Sequence, residues 1–132
     1  AMLMTMDEGQ SNQHYLQGVC AISGVFNLTP IQHSRLNVVL QMDTPTATRN
    51  SPVLLTPSER CPLIVAVGSA ETDEFKSQSR ELYHHWKNKN ISIDLLEIPT
   101  LNHFTILDSL CDMDSVLHRA LCRLMKINSS VT

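Results

Sequence analysis

Two residues able to carry proton-transfer chemistry stand just past the ends of two candidate strands. Glu71 follows Leu63-Ile-Val-Ala-Val-Gly68, and His103 follows the run at 91–98. A carboxylate that receives an imidazole N–H fixes the ring's tautomer and stabilises the imidazolium. The other ring nitrogen can then take a nucleophile's proton and return it to a leaving group. Glutamate serves this purpose as aspartate does, so the pair reads as the acid and base of a nucleophilic triad. Position alone leaves an alternative open, because a carboxylate just before a helix also compensates the helix dipole. The nucleophile is missing. No Gly-x-Ser-x-Gly pentapeptide occurs in the chain, and a serine nucleophile on a strand-to-helix elbow needs one. Ser23 precedes Gly24 but opens no helix, and Ser69 belongs to the acid's own loop.

The elements that must position the pair are legible around it. Residues 63–67 are apolar without interruption, as a strand covered on both faces requires. A helix is predicted over 72–88. Thr72 is its candidate N-cap, Asp73 and Glu74 occupy its first turn, and Phe75, Leu82, Tyr83 and Trp86 share one face. Phe75 and Trp86 are expected to face the sheet. A second strand, 91–98, ends at Pro99, and a third is predicted at 18–24, where Cys20 is expected to be a buried thiol. Helical patterns follow at 104–110 and from Met113 to Leu124, with Val116, Leu117, Ala120 and Leu121 at spacings of three and four. Strands alternating with helices imply an α/β fold with a parallel sheet and right-handed crossovers. In such folds the loops past the carboxyl ends of the strands place the chemistry.

Two regions break the rhythm. Residues 26–60 carry prolines at 30, 45, 52 and 57 and only one short helical piece, at 36–42. Such an excursion covers either a site or a sheet edge. Residues 1–7 are good helix formers with no capping residue before them, and Gly9 is placed as a C-terminal stop. They read as the interior of a helix, so the natural polypeptide is expected to begin upstream of Ala1.

Composition bounds the rest. The 132 residues, 42% hydrophobic, suffice for one domain. A net charge of −3 argues against nucleic acid or an anionic membrane as partner. The four cysteines form no C-x-x-C pair and read as reduced, in a cytoplasmic setting. No run is long enough to span a bilayer, and no signal peptide is apparent. His84 and His85 point about 100° apart on a helix, and His14 and His33 lie in polar stretches. Cys122, four residues after His118, is expected to pack in the core. Asp108, Asp112 and Asp114 need no role beyond capping and dipole compensation. No glycine-rich phosphate loop occurs. No metal and no cofactor are expected.

The order Ile22-Ser-Gly-Val-Phe-Asn-Leu28, Arg49-Asn-Ser-Pro52, Val67-Gly-Ser-Ala-Glu-Thr-Asp-Glu-Phe75 with Gln78-Ser79, and Asn102-His103-Phe104 resembles the C-terminal half of the kynurenine formamidase (arylformamidase) branch of the α/β-hydrolases. The resemblance covers nearly the whole chain. It implies that residues 1–132 are the C-terminal part of a single α/β-hydrolase domain, with Glu71 as triad acid where the family usually has aspartate, and His103 as base. Phe26, Asn27 and Leu28 match the family's pocket-lining stretch, where aspartate is commoner than Asn27. The family's oxyanion loop and serine elbow would lie upstream. The implied substrate is a small arylformamide such as N-formylkynurenine, or a short-chain carboxylic ester, and the complete protein could pair as a homodimer. The competing expectation is a catalytically inactive half-domain whose open sheet edge recruits a partner.

Overall fold

A computed structural model of the chain describes residues 1–6, 16–58 and 60–126. Gly9 and His14 lie outside the described residues. Three strands, β1 (Val19–Ile22), β2 (Leu63–Gly68) and β3 (Ile93–Ile98), form a parallel sheet in the order β1-β2-β3. In register, Leu63 lies opposite Val19 and Ile93, and Ala66 opposite Ile22 and Leu96. Every residue of β2 is buried, as its unbroken apolar run requires.

The period of two along β2 builds two cores. Leu63 and Val65 pack with Leu82 and Trp86 of the helix α4 (Asp73–Trp86), together with Met4, Phe26 and Val53. Ile64 and Ala66 point the opposite way and pack with Ile106, Leu117 and Ala120. Those residues come from two shorter helices after β3, Thr105–Asp108 and Val116–Leu124. The second of these starts later than the Met113 pattern suggests. The Ser115 hydroxyl accepts from the His118 N–H and sets its N-terminus, leaving Met113 exposed outside it. Among the described residues no helix is long and apolar enough to cross a membrane.

The structure corrects several expectations. The first residues form only a 3-10 turn, Met2–Thr5, which ends at an extended Met6. Cys20 is only partly buried, because β1 pairs with β2 alone among the described residues and lies at the sheet edge. Residues 26–60 are more helical than their prolines suggest. Helices Thr29–Gln32, Asn37–Leu40 and Thr44–Arg49 and a 3-10 turn Pro52–Leu54 follow one another. Pro30, Pro45 and Pro52 sit in the first turns, where the missing N–H has no intrahelical partner to lose. Thr72 occupies the N-cap position of α4, but its hydroxyl accepts no capping bond.

A buried amide fastens this excursion to α4. The Gln78 Oε1 accepts from the backbone N–H groups of Phe26 (2.8 Å) and Asn27 (2.7 Å). Its Nε2 donates to the Asn27 carbonyl (3.0 Å) and to Glu74 Oε1 (2.8 Å). The Ser51 hydroxyl, fully buried, accepts from the Leu28 N–H and donates to the Ala47 carbonyl. These bonds satisfy backbone groups that an irregular segment would otherwise bury unpaired.

Candidate active site

Glu71 and His103 leave adjacent strands at the same sheet edge. Gly68 ends β2 and Ile98 ends β3 in register with it. The loops beyond are stitched together: the Ser69 N–H donates to the Ile98 carbonyl (2.8 Å) and the Ala70 N–H to the Leu101 carbonyl (3.0 Å). The Thr100 N–H donates to Ser69 Oγ (2.9 Å). Thr100 is held at φ 65°, an unusual conformation for a β-branched residue. Gly68 is dictated by this closeness, since a Cβ there would stand 2.1 Å from the Leu101 carbonyl oxygen. On the histidine side, Asn102 Oδ1 accepts from the N–H groups of Phe104 and Thr105, fixing the backbone around His103.

Within this frame Glu71 Oε2 lies 3.0 Å from His103 Nδ1. The Glu71 side chain is fully buried, whereas that of His103 is 46% exposed, so the ring reaches from the acid to solvent. The other carboxylate oxygen, Oε1, accepts from the Gly68 N–H (2.9 Å) and from Ser23 Oγ (2.5 Å). Burial alone would raise the Glu71 pKa. The hydrogen bonds from Ser23, Gly68 and His103, with the charge of His103, outweigh it and hold the carboxyl below the usual range. Glu71 is therefore ionised at neutral pH, and an ionised carboxylate against Nδ1 requires the proton on that nitrogen. Nε2 is left as a lone-pair acceptor facing outward. The ring is held from two more sides. Phe75 stacks on it with centroids 4.6 Å apart and planes 28° apart, and Phe104 meets it edge-on at 5.6 Å.

Phe75 thus faces the histidine rather than the sheet. It lies in the first turn of α4, beyond the strand ends, so the helix face that meets β2 at Leu82 and Trp86 meets the His103 loop here. Phe75 also lines an apolar groove of about 400 Å³ with Val25, Pro30, Ile31 and Leu36. Phe26, Asn27 and Leu28 are not among its lining residues. Phe26 is buried in the core with its ring against Gly24, and Asn27 and Leu28 are half-buried, with their N–H groups bound to Gln78 and Ser51. Ser23 is the participant that sequence reasoning set aside. Its signal was its place at a strand end, Ile22-Ser23-Gly24, which becomes informative only once Ile22 is known to lie opposite Ala66.

The remaining histidines have other surroundings. His118 Nδ1 lies 2.7 Å from the Leu110 carbonyl, and His33, His84 and His85 are exposed. Among the described residues no group of three His, Cys, Asp or Glu side chains could hold a metal ion.

Kynurenine formamidase of Salmo salar is 32% identical over 95% of this chain, and that of Danio rerio is 28% identical over the same share. The chain spans 45% of the length of each of these relatives. No family model matches. Among solved structures, a protein of Silicibacter sp. TM1040 described as a thioesterase superposes with a TM-score of 0.68 at 28% identity, over 76% of this chain and 36% of its own. Esterase 2 of Thermogutta terrifontis, in its tabun-modified form, superposes with a TM-score of 0.64 at 14% identity, over 97% of this chain and 50% of its own. The chain is thus a homologue of the kynurenine formamidases, built on the parallel α/β fold of esterase-type hydrolases.

Proposed function

We propose that this chain supplies the acid and base of a serine hydrolase that cleaves the N-formyl amide of an arylformamide such as N-formylkynurenine. The observation that carries the reading is the buried, ionised Glu71 bonded to His103 Nδ1 at the carboxyl edge of a parallel sheet. Residues 1–132 are, in this reading, the C-terminal part of one α/β-hydrolase domain. The nucleophilic serine and the oxyanion-binding amides come from a preceding part of a longer polypeptide.

The serine oxygen adds to the formyl carbon while His103 Nε2 takes its proton. His103 then gives that proton to the arylamine nitrogen as the C–N bond breaks. Water, deprotonated in turn by Nε2, adds to the formyl-serine ester, and His103 returns that proton to the serine oxygen as the ester bond breaks and formate leaves. Glu71 stays ionised throughout and offsets the charge of the imidazolium. The groove beyond Phe75 offers apolar walls suited to the aryl part of the substrate.

Formate release from N-formylkynurenine by the full-length protein, set beside hydrolysis of a short-chain nitrophenyl ester, tests this function. Formamide turnover is expected, with inactivation by an organophosphate serine reagent. Ester turnover alone would replace the arylformamide by a carboxylic ester as substrate. A folded protein inert to both would overturn the hydrolase reading in favour of a non-catalytic binding half-domain.

A further inference from the structure

We infer that Ser23 is a positioning residue for the acid: its hydroxyl, reaching across from β1 to Glu71 Oε1, aims the longer glutamate side chain so that Oε2 meets His103. The inference rests on the reading of Glu71 and His103 as a catalytic pair.

Three observations support it. First, the hydroxyl bond is short, 2.5 Å, and joins residues 48 apart in sequence. Gly68, the other donor to Oε1, stands three residues before Glu71 at the end of the acid's own strand. Ser23 is therefore the contact that references the carboxylate to a separate element, β1, anchored by the Ser23 N–H on the Ala66 carbonyl (2.8 Å). Second, Ser23 adopts φ 49°. A left-handed conformation is strained at a residue with a Cβ, and glycine would take it without strain. The side chain is present at a place where the backbone alone favours its removal. Third, glutamate has one more rotatable bond than aspartate. Two donors converging on Oε1 fix the carboxylate plane that Gly68 alone would leave free to rotate.

The hydroxyl also draws charge toward Oε1. Without it, Oε2 is no longer held on the ring, and the imidazolium loses the negative charge that stabilises it.

Ser23→Gly and Ser23→Ala in the full-length enzyme separate positioning from folding, because glycine relieves the backbone strain while removing the hydroxyl. Both are expected to lower kcat for formamide hydrolysis about 10- to 100-fold with KM nearly unchanged. The acidic limb of the kcat/KM profile should move to lower pH in both. Ser23→Gly should melt above Ser23→Ala, because only glycine relieves the strain at φ 49°. A Ser23→Gly enzyme with wild-type kcat and an unmoved acidic limb overturns the inference. His103→Ala, assayed in parallel, tells the two failures apart. If it abolishes turnover while Ser23→Gly does not, only the role of Ser23 falls; if it leaves turnover intact, the catalytic pair itself falls.

Discussion

His103→Ala is expected to lower kcat/KM for formamide hydrolysis by about 10³- to 10⁵-fold, most of it in kcat. Among the described residues the imidazole is the group that meets Glu71 Oε2, and its other nitrogen is the base that the acid orients. Without it the serine must lose its proton to water, and the arylamine must leave unprotonated. The effect on folding should be smaller. Nearly half of the ring is exposed, and Glu71 keeps both donors on Oε1. Water entering the vacated space can satisfy Oε2. Steady-state kinetics with a urea denaturation curve on the same preparation separates the two effects. Turnover within tenfold of wild type would contradict the role of His103 as base.

Gly68→Ala is expected to damage stability and turnover together. The added Cβ would lie 2.1 Å from the Leu101 carbonyl oxygen and 2.7 Å from its carbon. Both are backbone atoms, so no side chain can swing aside. That same carbonyl accepts from the Ala70 N–H, so relieving the clash pulls apart the loops that carry Glu71 and His103. Overpacking of this kind destabilises by about 2–3 kcal/mol, read as a lower urea midpoint at unchanged slope. Gly68 also donates its N–H to Glu71 Oε1. A displacement of about 1 Å in that donor should cost turnover on the order of 10²-fold even in the molecules that remain folded. Wild-type midpoint and rate in Gly68→Ala would mean that the two loops are not held as closely as described.

The sequence spoke most clearly where burial is two-sided. The run ending at Gly68 has no polar residue to place on a solvent face, so its strand and its neighbouring helix could be read directly. Two loops opening at the same edge of a parallel sheet make the meeting of Glu71 and His103 an expectation from the sequence alone. Ser23 escaped for the opposite reason. Its partner lies 48 residues away, and only the register of β1 on β2 brings them together. Phe75 was misplaced because helical periodicity describes a face, not what that face meets beyond the end of the sheet. In residues 26–60 the prolines carried two opposite meanings, helix breaker and first-turn residue, and the second prevailed at Pro30, Pro45 and Pro52. Phe26 illustrates a similar ambiguity: an aromatic residue beside a site suits a pocket wall or a core, and here it is buried against Gly24.

Glu71 holds His103 in the tautomer that turns a basic Nε2 outward. Nitrogen-15 NMR of the imidazole, recorded above the pH at which the ring deprotonates, tests it directly in wild type and in Glu71→Gln. The Gly68 N–H is a fixed donor, so the glutamine amide must turn its oxygen toward Gly68 and its NH₂ toward His103 Nδ1. The proton is expected on Nδ1 in the wild type and on Nε2 in the variant. A wild-type ring protonated mainly on Nε2, or a tautomer indifferent to the substitution, would contradict it.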